Sequence, residues 1–209
     1  MEIRYELAFK QLIDFLEKIE QEYSIKYYLV GAVLTSLYSE LRSTQDIDFV
    51  VDIYSVNHSI ESYISLLRQN DFYPHQDWET TARLARETNL LQYLDKQENI
   101  KFDNYILDRK SKDKYNRIGL IALKRRVRVF FSEIECWAIS KEDFIISKLV
   151  YGGWQDYTDA LGCWMRFNDS LDVSYMIKTS KELGIQKELE LLKSGIDDPD
   201  DYFNQIKGY

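Results

Sequence analysis

The chain has 209 residues, of which 45% are hydrophobic, and its formal net charge at pH 7 is -8. This composition excludes a disordered or fibrous protein and allows one full domain with a smaller appendage. The acidic balance argues against strong non-specific binding to duplex nucleic acid, which depends on neutralised phosphates. Apolar runs stay well short of about 18 residues, so the sequence predicts a cytoplasmic protein without a membrane segment.

The first predicted elements are a helix, a strand, a second helix and a second strand. Residues 2–23 keep an apolar stripe at helical spacing, and the short apolar run 27–30 predicts a strand that stops at Gly31. Apolar residues then recur at helical spacing over residues 32–41. Residues 46–53 alternate between apolar and polar, which is typical of a half-buried strand.

Asp46 and Asp48 share the polar face of this second strand. Their carboxylates therefore project together, opposite the start of the helix that follows Gly31. Carboxylate oxygens are the ligands that Mg²⁺ prefers, and the amide groups at a helix N-terminus favour phosphate. An Asp-x-Asp pair is also common at a solvated strand end, so the pair alone leaves a metal site and a surface turn both open.

Helices and strands continue to alternate up to Gly152 and Gly153, which mark a predicted boundary between a domain of residues 1–152 and a helical extension of residues 153–209. The predicted ranges are 55–69 and 78–86 for helices, 90–94 and 100–107 for a β-hairpin, 113–120 for a helix or irregular turn, 126–131 and 133–139 for a second β pair, and a helix from Ser140. This order predicts an α+β fold.

The second strand of the hairpin carries one acid on its polar face. Alternation places Lys101, Asp103 and Tyr105 together on that face. Asp95 and Asp108 are the neighbouring acids, and both fall at strand ends. Asp103 is therefore the acid that projects from the body of this strand.

The order of these motifs resembles the nucleotidyltransferase superfamily, and most closely its small bacterial AbiEii-like group. The resemblance lies in the turn Gly31-Ala32 followed by Arg42-Ser43-Thr44-Gln45-Asp46-Ile47-Asp48, and in the run Ser-Lys-Glu-Asp-Phe-Ile-Ile-Ser-Lys-Leu that begins at Ser140. It implies a polymerase-β-type fold, a mixed β-sheet flanked by helices with a helical C-terminal extension. It also implies two Mg²⁺ ions and a nucleoside triphosphate such as ATP as substrate.

The same resemblance implies roles for individual residues. Asp46, Asp48 and Asp103 would bind the metal ions and carry catalysis. Gly31 would let the backbone approach the phosphates, and Ala32 offers only its amide, where members with a serine use its hydroxyl. The resemblance also carries over to Lys148 as a nucleotide contact. Thr35 and Ser36 lie within a turn of Gly31 and could supply the hydroxyl that Ala32 lacks, and Arg42 and Thr44, one loop away, could contact phosphate. Arg42 and Thr44 are also consistent with ordering their loop, and Lys148 with an ordinary surface lysine.

Other polar residues have simpler interpretations. The basic stretch 109–128 could receive triphosphate or RNA, or form a solvated helix face and an outward strand face. His75 is expected in a solvated loop rather than as a general base. Cys136 and Cys163 are expected as buried thiols rather than as a disulfide or a zinc site.

We therefore expect transfer of a nucleotidyl group to an acceptor hydroxyl. The sequence does not identify the acceptor molecule, which could be a small molecule, a tRNA or a protein. The alternative is a non-catalytic binding or regulatory protein with this fold, for example one half of a toxin–antitoxin pair with a cognate partner protein. A third hypothesis is a metal-dependent phosphohydrolase that uses the same acids.

Overall fold

The structure is a computed structural model that describes residues 3–39, 46–97 and 99–208. These residues form two compact units. The first contains the described parts of Met1–Val33, Ser43–Ser111 and Arg126–Ala138, and the second those of Leu34–Arg42, Lys112–Arg125 and Ile139–Tyr209. The boundary predicted between residues 152 and 153 falls inside the second unit, and the domain division at that point stays a prediction.

The first unit is built on one mixed sheet. Its strands are β1 (Lys26–Leu29), β2 (Asp46–Asp52), β3 (Tyr73–Pro74), β4 (Leu90–Leu94), β5 (Lys101–Ile106), β6 (Val127–Phe131) and β7 (Ile134–Ala138). Among the described residues the strand order is β3-β4-β5-β2-β1-β7-β6. β2 is therefore an interior strand, bonded on both sides, which holds its side chains in a fixed alternation.

Parallel and antiparallel pairings meet at the middle of this sheet. β2 runs antiparallel to β1 and parallel to β5. β1 is also parallel to β7, where Leu29 lies opposite Ala138. The outer pairs, β3 with β4, β4 with β5 and β6 with β7, are antiparallel. The predicted hairpin and the second predicted β pair are thus both present.

Helices of the first unit cover this sheet. They are α1 (Ile3–Tyr23), α3 (Ile60–Gln69) and α4 (Trp78–Thr88), and the first residues of α2 (Ala32–Tyr38) also belong to this unit. α1 packs against β1 and β7 and buries Leu12, Leu16 and Ile19. The rings of Phe72, Tyr93 and Phe102 contact one another in edge-to-face or tilted geometries, which aromatic rings favour.

α3 begins later than its sequence predicted. The predicted cap lay at residues 55–57, but residues 54–56 form a single 3-10 turn that ends at Asn57, whose φ of 61° is left-handed. Ser59 caps the helix instead, because its side chain accepts a hydrogen bond from the backbone N–H of Ser62 at 3.1 Å. The Ser62 hydroxyl in turn accepts a hydrogen bond from the backbone N–H of Ser59 at 2.9 Å, which completes a capping box.

Among the described residues, the regular elements of the second unit are all helices. It contains the rest of α2 together with α5 (Lys114–Arg125), α6 (Lys141–Tyr151), α7 (Trp154–Phe167), α8 (Val173–Leu183), α9 (Gln186–Lys193) and α10 (Pro199–Lys207). α6 is central, since it packs against α5, α7, α8 and α9. α6 begins after Ser140 as predicted, and Ser140 and Asp172 cap α6 and α8, each accepting a hydrogen bond from the backbone N–H three residues ahead.

A mixed sheet with helices on it, followed by C-terminal helices, confirms the predicted α+β class. Cys136 and Cys163 are both buried and unoxidised, also as predicted. In the part of the chain that the structure describes, every helix is too short or too polar to cross a membrane.

Candidate active site

The parallel pairing of β2 with β5 brings the predicted acids together. Asp48 lies directly opposite Asp103, and Asp46 lies opposite Lys101. On β2 and β5 these residues are partly exposed and alternate with fully buried residues, so their side chains point away from the buried core. Asp46, Asp48 and Asp103 therefore share one face of neighbouring interior strands.

The turn before α2 closes on this face. Gly31 has a left-handed φ of 70°, and a Cβ at this position would lie 2.1 Å from Oδ2 of Asp48. The backbone N–H of Val30 donates to the Asp48 carbonyl at 3.0 Å, and the N–H of Ala32 donates to the Asp48 side chain. A residue without a side chain is thus required here for two reasons, the backbone conformation and the carboxylate beside it.

Two further side chains bind Asp103. Lys101 Nζ lies 3.1 Å from Asp103 Oδ2 and 3.1 Å from Asp46 Oδ2. Gln92, on β4, donates from Nε2 to Asp103 Oδ1 at 2.9 Å. Each oxygen of Asp103 therefore has its own donor. Sequence reasoning placed Lys101 on the face of Asp103 but gave it no role.

Burial and the two neighbouring acids raise the pKa of Asp48. The pKa of Asp48 is raised from 3.8 to about 6, chiefly by burial and then by the nearby charges of Asp103 and, less, Asp46. The Ala32 amide and the Lys101 ammonium act in the opposite direction. Burial lowers the pKa of Lys101, but its hydrogen bonds to Asp46 and Asp103 outweigh this, so the Lys101 pKa is raised.

Tyr5 adds a hydroxyl that the sequence did not point to. Its Oη is buried and has no hydrogen-bond partner among the residues described. Burial raises the Tyr5 pKa above its usual value, and the charges of Asp48 and Asp46 raise it further, so the phenol stays protonated at neutral pH. Tyr5 is therefore a protonated, unsatisfied donor within electrostatic reach of both acids.

The donor set matches Mg²⁺ in chemistry, since all three groups offer carboxylate oxygens. The unsatisfied Tyr5 hydroxyl and the cradle over Gly31 are consistent with a ligand at this face. In residues 3–39, 46–97 and 99–208, however, no group of three or more His, Cys, Asp or Glu is arranged to hold a metal ion as it stands. Among the described residues, the Lys101 ammonium forms ion pairs with two of these acids, Asp46 and Asp103.

The other predicted nucleotide contacts fall in the second unit or outside the described residues. Thr35 is buried on α2, in the stretch assigned to the second unit, and Ser36 follows it. Arg42 and Thr44 lie outside the described residues. Lys148, in the second unit, forms ion pairs with Asp159 at 2.7 Å and with Asp156 at 3.1 Å.

Ion pairs occupy much of the basic stretch 109–128. In the first unit, Arg109 binds the fully buried Asp52 at 2.6 Å, and Arg128 binds Glu17 and Glu135 at 2.6 and 2.9 Å. Arg126 pairs with Glu20 in the same unit. In the second unit, Arg125 Nε lies 3.4 Å from Asp143, and Arg117 donates to the Glu182 carbonyl at 2.6 Å. Each of these five arginines therefore contacts a residue of its own unit.

Asp95 and Asp108, the rivals of Asp103, organise turns. Asp95 accepts from the backbone N–H groups of Asn99 and Ile100 at 2.7 and 2.9 Å, and Asp108 accepts from that of Lys110 at 2.9 Å. His75 is exposed in the segment before α4, which agrees with a solvated loop histidine.

Comparison with known proteins supports the fold. No protein-family model matches the sequence, and no curated protein is similar enough to match. The crystal structure of an antigenic nucleotidyltransferase-like protein from Paracoccidioides brasiliensis is similar, with a TM-score of 0.52 over 91% of this chain and 94% of that chain. Its sequence identity is 17%, so the similarity concerns the fold alone. The chain has a nucleotidyltransferase-like fold, as its motifs predicted.

Proposed function

We propose that this protein transfers a nucleotidyl group from a nucleoside triphosphate to an acceptor hydroxyl. The observation that carries the proposal is the register of β2 and β5, which sets Asp48 against Asp103 and beside the glycine turn at Gly31. The nucleotidyltransferase-like fold supports it. In the reaction, the acceptor oxygen forms a bond to the α-phosphorus, and the bond from that phosphorus to the bridging oxygen breaks, releasing pyrophosphate.

Asp46, Asp48 and Asp103 are the residues that would hold two Mg²⁺ ions. Bound there, the ions would offset the negative charge on the attacking and leaving oxygens. Asp103 would also accept the proton of the acceptor hydroxyl. The cluster contains carboxylates and no histidine, which agrees with this use of acids.

The turn before α2 would receive the phosphates. Gly31 has no side chain to obstruct them, and the amide groups at the start of α2 carry the partial positive charge of a helix N-terminus. The Tyr5 hydroxyl is a further donor for an anionic ligand, because its proton is retained and has no protein acceptor among the described residues. We also propose phosphate contacts from Thr35, Ser36, Arg42, Thr44 and Lys148.

The finer assignments belong to the same proposal. The order of the motifs supports membership of the AbiEii-like group, ATP as a candidate substrate and a cognate partner protein. The acceptor remains one of a small molecule, a tRNA or a protein, and the expected cytoplasmic location stays a prediction.

The test is a labelling assay with α-labelled nucleoside triphosphates, Mg²⁺ and cell extract as the source of acceptors. We expect wild type to transfer label and Asp48→Ala to transfer none, with unchanged far-UV circular dichroism in both. Asp197→Ala, which changes an exposed aspartate of the second unit, is the control. Equal labelling by wild type and Asp48→Ala would refute the proposal.

A second function is favoured by one observation, the contact of Lys101 with Asp46 and Asp103. A permanent ammonium there would suit a non-catalytic binding or regulatory protein, such as one half of a toxin–antitoxin pair. Ala32, which has no hydroxyl for the phosphates, points the same way. Calorimetry with each nucleoside triphosphate separates the two, because the binding protein would show no heat that depends on Mg²⁺.

A further inference from the structure

Lys101 lies at the centre of the acidic face. Its backbone pairs with that of Asp46 across the sheet, and its side chain shares a face of β5 with Asp103. Nζ is equidistant from one oxygen of each acid, at 3.1 Å, and the Lys101 side chain is 27% exposed. The ammonium is therefore held by two carboxylates from two different strands and is largely removed from water.

A metal ion held by Asp46 and Asp103 would compete with Lys101 for their carboxylate oxygens. Lys101 occupies Oδ2 of Asp103, while Gln92 occupies Oδ1, so Asp103 has no oxygen without a donor. A divalent cation bridging β2 and β5 would coordinate carboxylate oxygens directly, at about 2.0–2.1 Å for Mg²⁺. Two cations cannot share those oxygens at such distances without strong repulsion, because the site is partly desolvated.

We propose that Lys101 is a built-in competitor for Mg²⁺ and sets the metal affinity of this site. The inference rests on the proposed function, because it takes Asp46 and Asp103 as metal ligands. Without metal, the Lys101 ammonium balances the repulsion among the three acids. When a divalent cation binds, the ammonium leaves both carboxylates, and the cost of that exchange weakens metal binding.

The test measures binding of Mn²⁺ alone, in place of Mg²⁺, to the full chain without nucleotide, by calorimetry. The variants are Lys101→Met, which removes the charge, and Lys101→Gln, which removes the charge but keeps a hydrogen-bond donor. Lys96→Met is the matched control, since Lys96 carries the same charge in the turn of the same hairpin and is exposed. We expect both Lys101 variants to bind Mn²⁺ about tenfold more tightly than wild type, and Lys96→Met to change affinity by about twofold or less.

The melting temperature provides a second measurement of the effect of Lys101. Lys101→Met should melt at a lower temperature than wild type in the presence of a chelator, because the three acids then repel one another without a counter-charge. Added Mn²⁺ should restore its melting temperature by more than it raises that of wild type. Lys101→Gln gives the same comparison if Lys101→Met does not fold.

The inference would be overturned if the Lys101 variants bound Mn²⁺ no more tightly than wild type. It would also be overturned if Lys96→Met gained as much Mn²⁺ affinity as the Lys101 variants. Absence of Mn²⁺ binding in every variant would overturn it too. Asp48-dependent labelling in the same preparations would then leave the proposed function standing, so the two failures are distinguishable.

Discussion

Asp48 lies directly opposite Asp103 on two parallel, hydrogen-bonded strands, and this one register pair sets the electrostatics of the acidic face. Burial and the charge of Asp103 together raise the Asp48 pKa to about 6. Holding two carboxylates this close costs stability, and such costs are typical of sites built for function rather than for folding.

Asp48→Asn should stabilise the protein at neutral pH. The folded-state pKa of Asp48, about 6, lies above the unfolded value, so Asp48 contributes most to stability below about pH 4, and that contribution is lost as the pH rises to about 6. An asparagine does not ionise and avoids the loss. Urea unfolding should show a gain of about 2–3 kcal/mol at about pH 8 and none near pH 4. Asp197→Asn, at an exposed position, is the control and should show no such pH dependence. A stability difference between Asp48→Asn and wild type that is the same at pH 4 and pH 8 would contradict the raised pKa of Asp48.

Gly31→Ala should displace the Asp48 carboxylate. The added Cβ would lie 2.1 Å from Oδ2, and it would also sit on a left-handed residue. We expect a loss of about 2–4 kcal/mol and loss of nucleotide labelling. Gly184→Ala is the control, because Gly184 has a similar φ of 73° and nothing within 4 Å of the added Cβ. A loss in Gly184→Ala as large as in Gly31→Ala would show that the backbone alone is responsible.

Tyr5→Phe should reduce labelling without reducing stability. The Tyr5 hydroxyl is buried and unsatisfied among the described residues, so its removal should leave the free energy of unfolding unchanged or raise it by up to about 1 kcal/mol. If the hydroxyl donates to the bound triphosphate, KM for the nucleotide should rise more than kcat falls. Tyr63→Phe removes another buried hydroxyl, on α3, and should leave KM unchanged. An unchanged KM in Tyr5→Phe would exclude this contact.

Arg109→Met should destabilise the first unit by about 2–4 kcal/mol, because it leaves the buried carboxylate of Asp52 without its cation. Asp52 would keep the hydrogen bond from the backbone N–H of Ser55 at 3.2 Å. Arg86→Met breaks the pair with the exposed Glu61 and should cost about 0.5 kcal/mol or less. Chemical denaturation of both variants measures the contrast, and equal costs would show that burial of Asp52 is unimportant.

The sequence predicted the three acids because their positions follow from local alternation. Asp46 and Asp48 share a face of one strand, and Asp103 stands alone on the polar face of the hairpin strand. Lys101 was visible on that face as well. Its contact with Asp46 depends on which residue of β5 lies opposite which residue of β2, and that register joins segments more than 50 residues apart.

Other features depend on packing that no local pattern contains. Tyr5 lies on α1, and nothing in its helical spacing indicates that its hydroxyl lies within electrostatic reach of acids on β2. Lys148 matched a family motif, yet its ammonium binds Asp156 and Asp159 because α6 packs against α7. The start of α3 was predicted at residues 55–57, but the cap is Ser59, and that position follows from the reciprocal hydrogen bonds between Ser59 and Ser62.

The strand order also has a consequence for synthesis of the chain. β1 to β5 occupy one continuous stretch, residues 26–106, and they form five adjacent strands, whereas β6 and β7 add to the other edge of β1. The strands that carry the three acids, β2 and β5, are synthesised before β6 and β7, whereas a domain generally folds as one unit. Until β7 pairs with it, one side of β1 would be an open edge of unpaired backbone groups, the kind of edge that promotes aggregation, so synthesis of β7 is the step that protects β1.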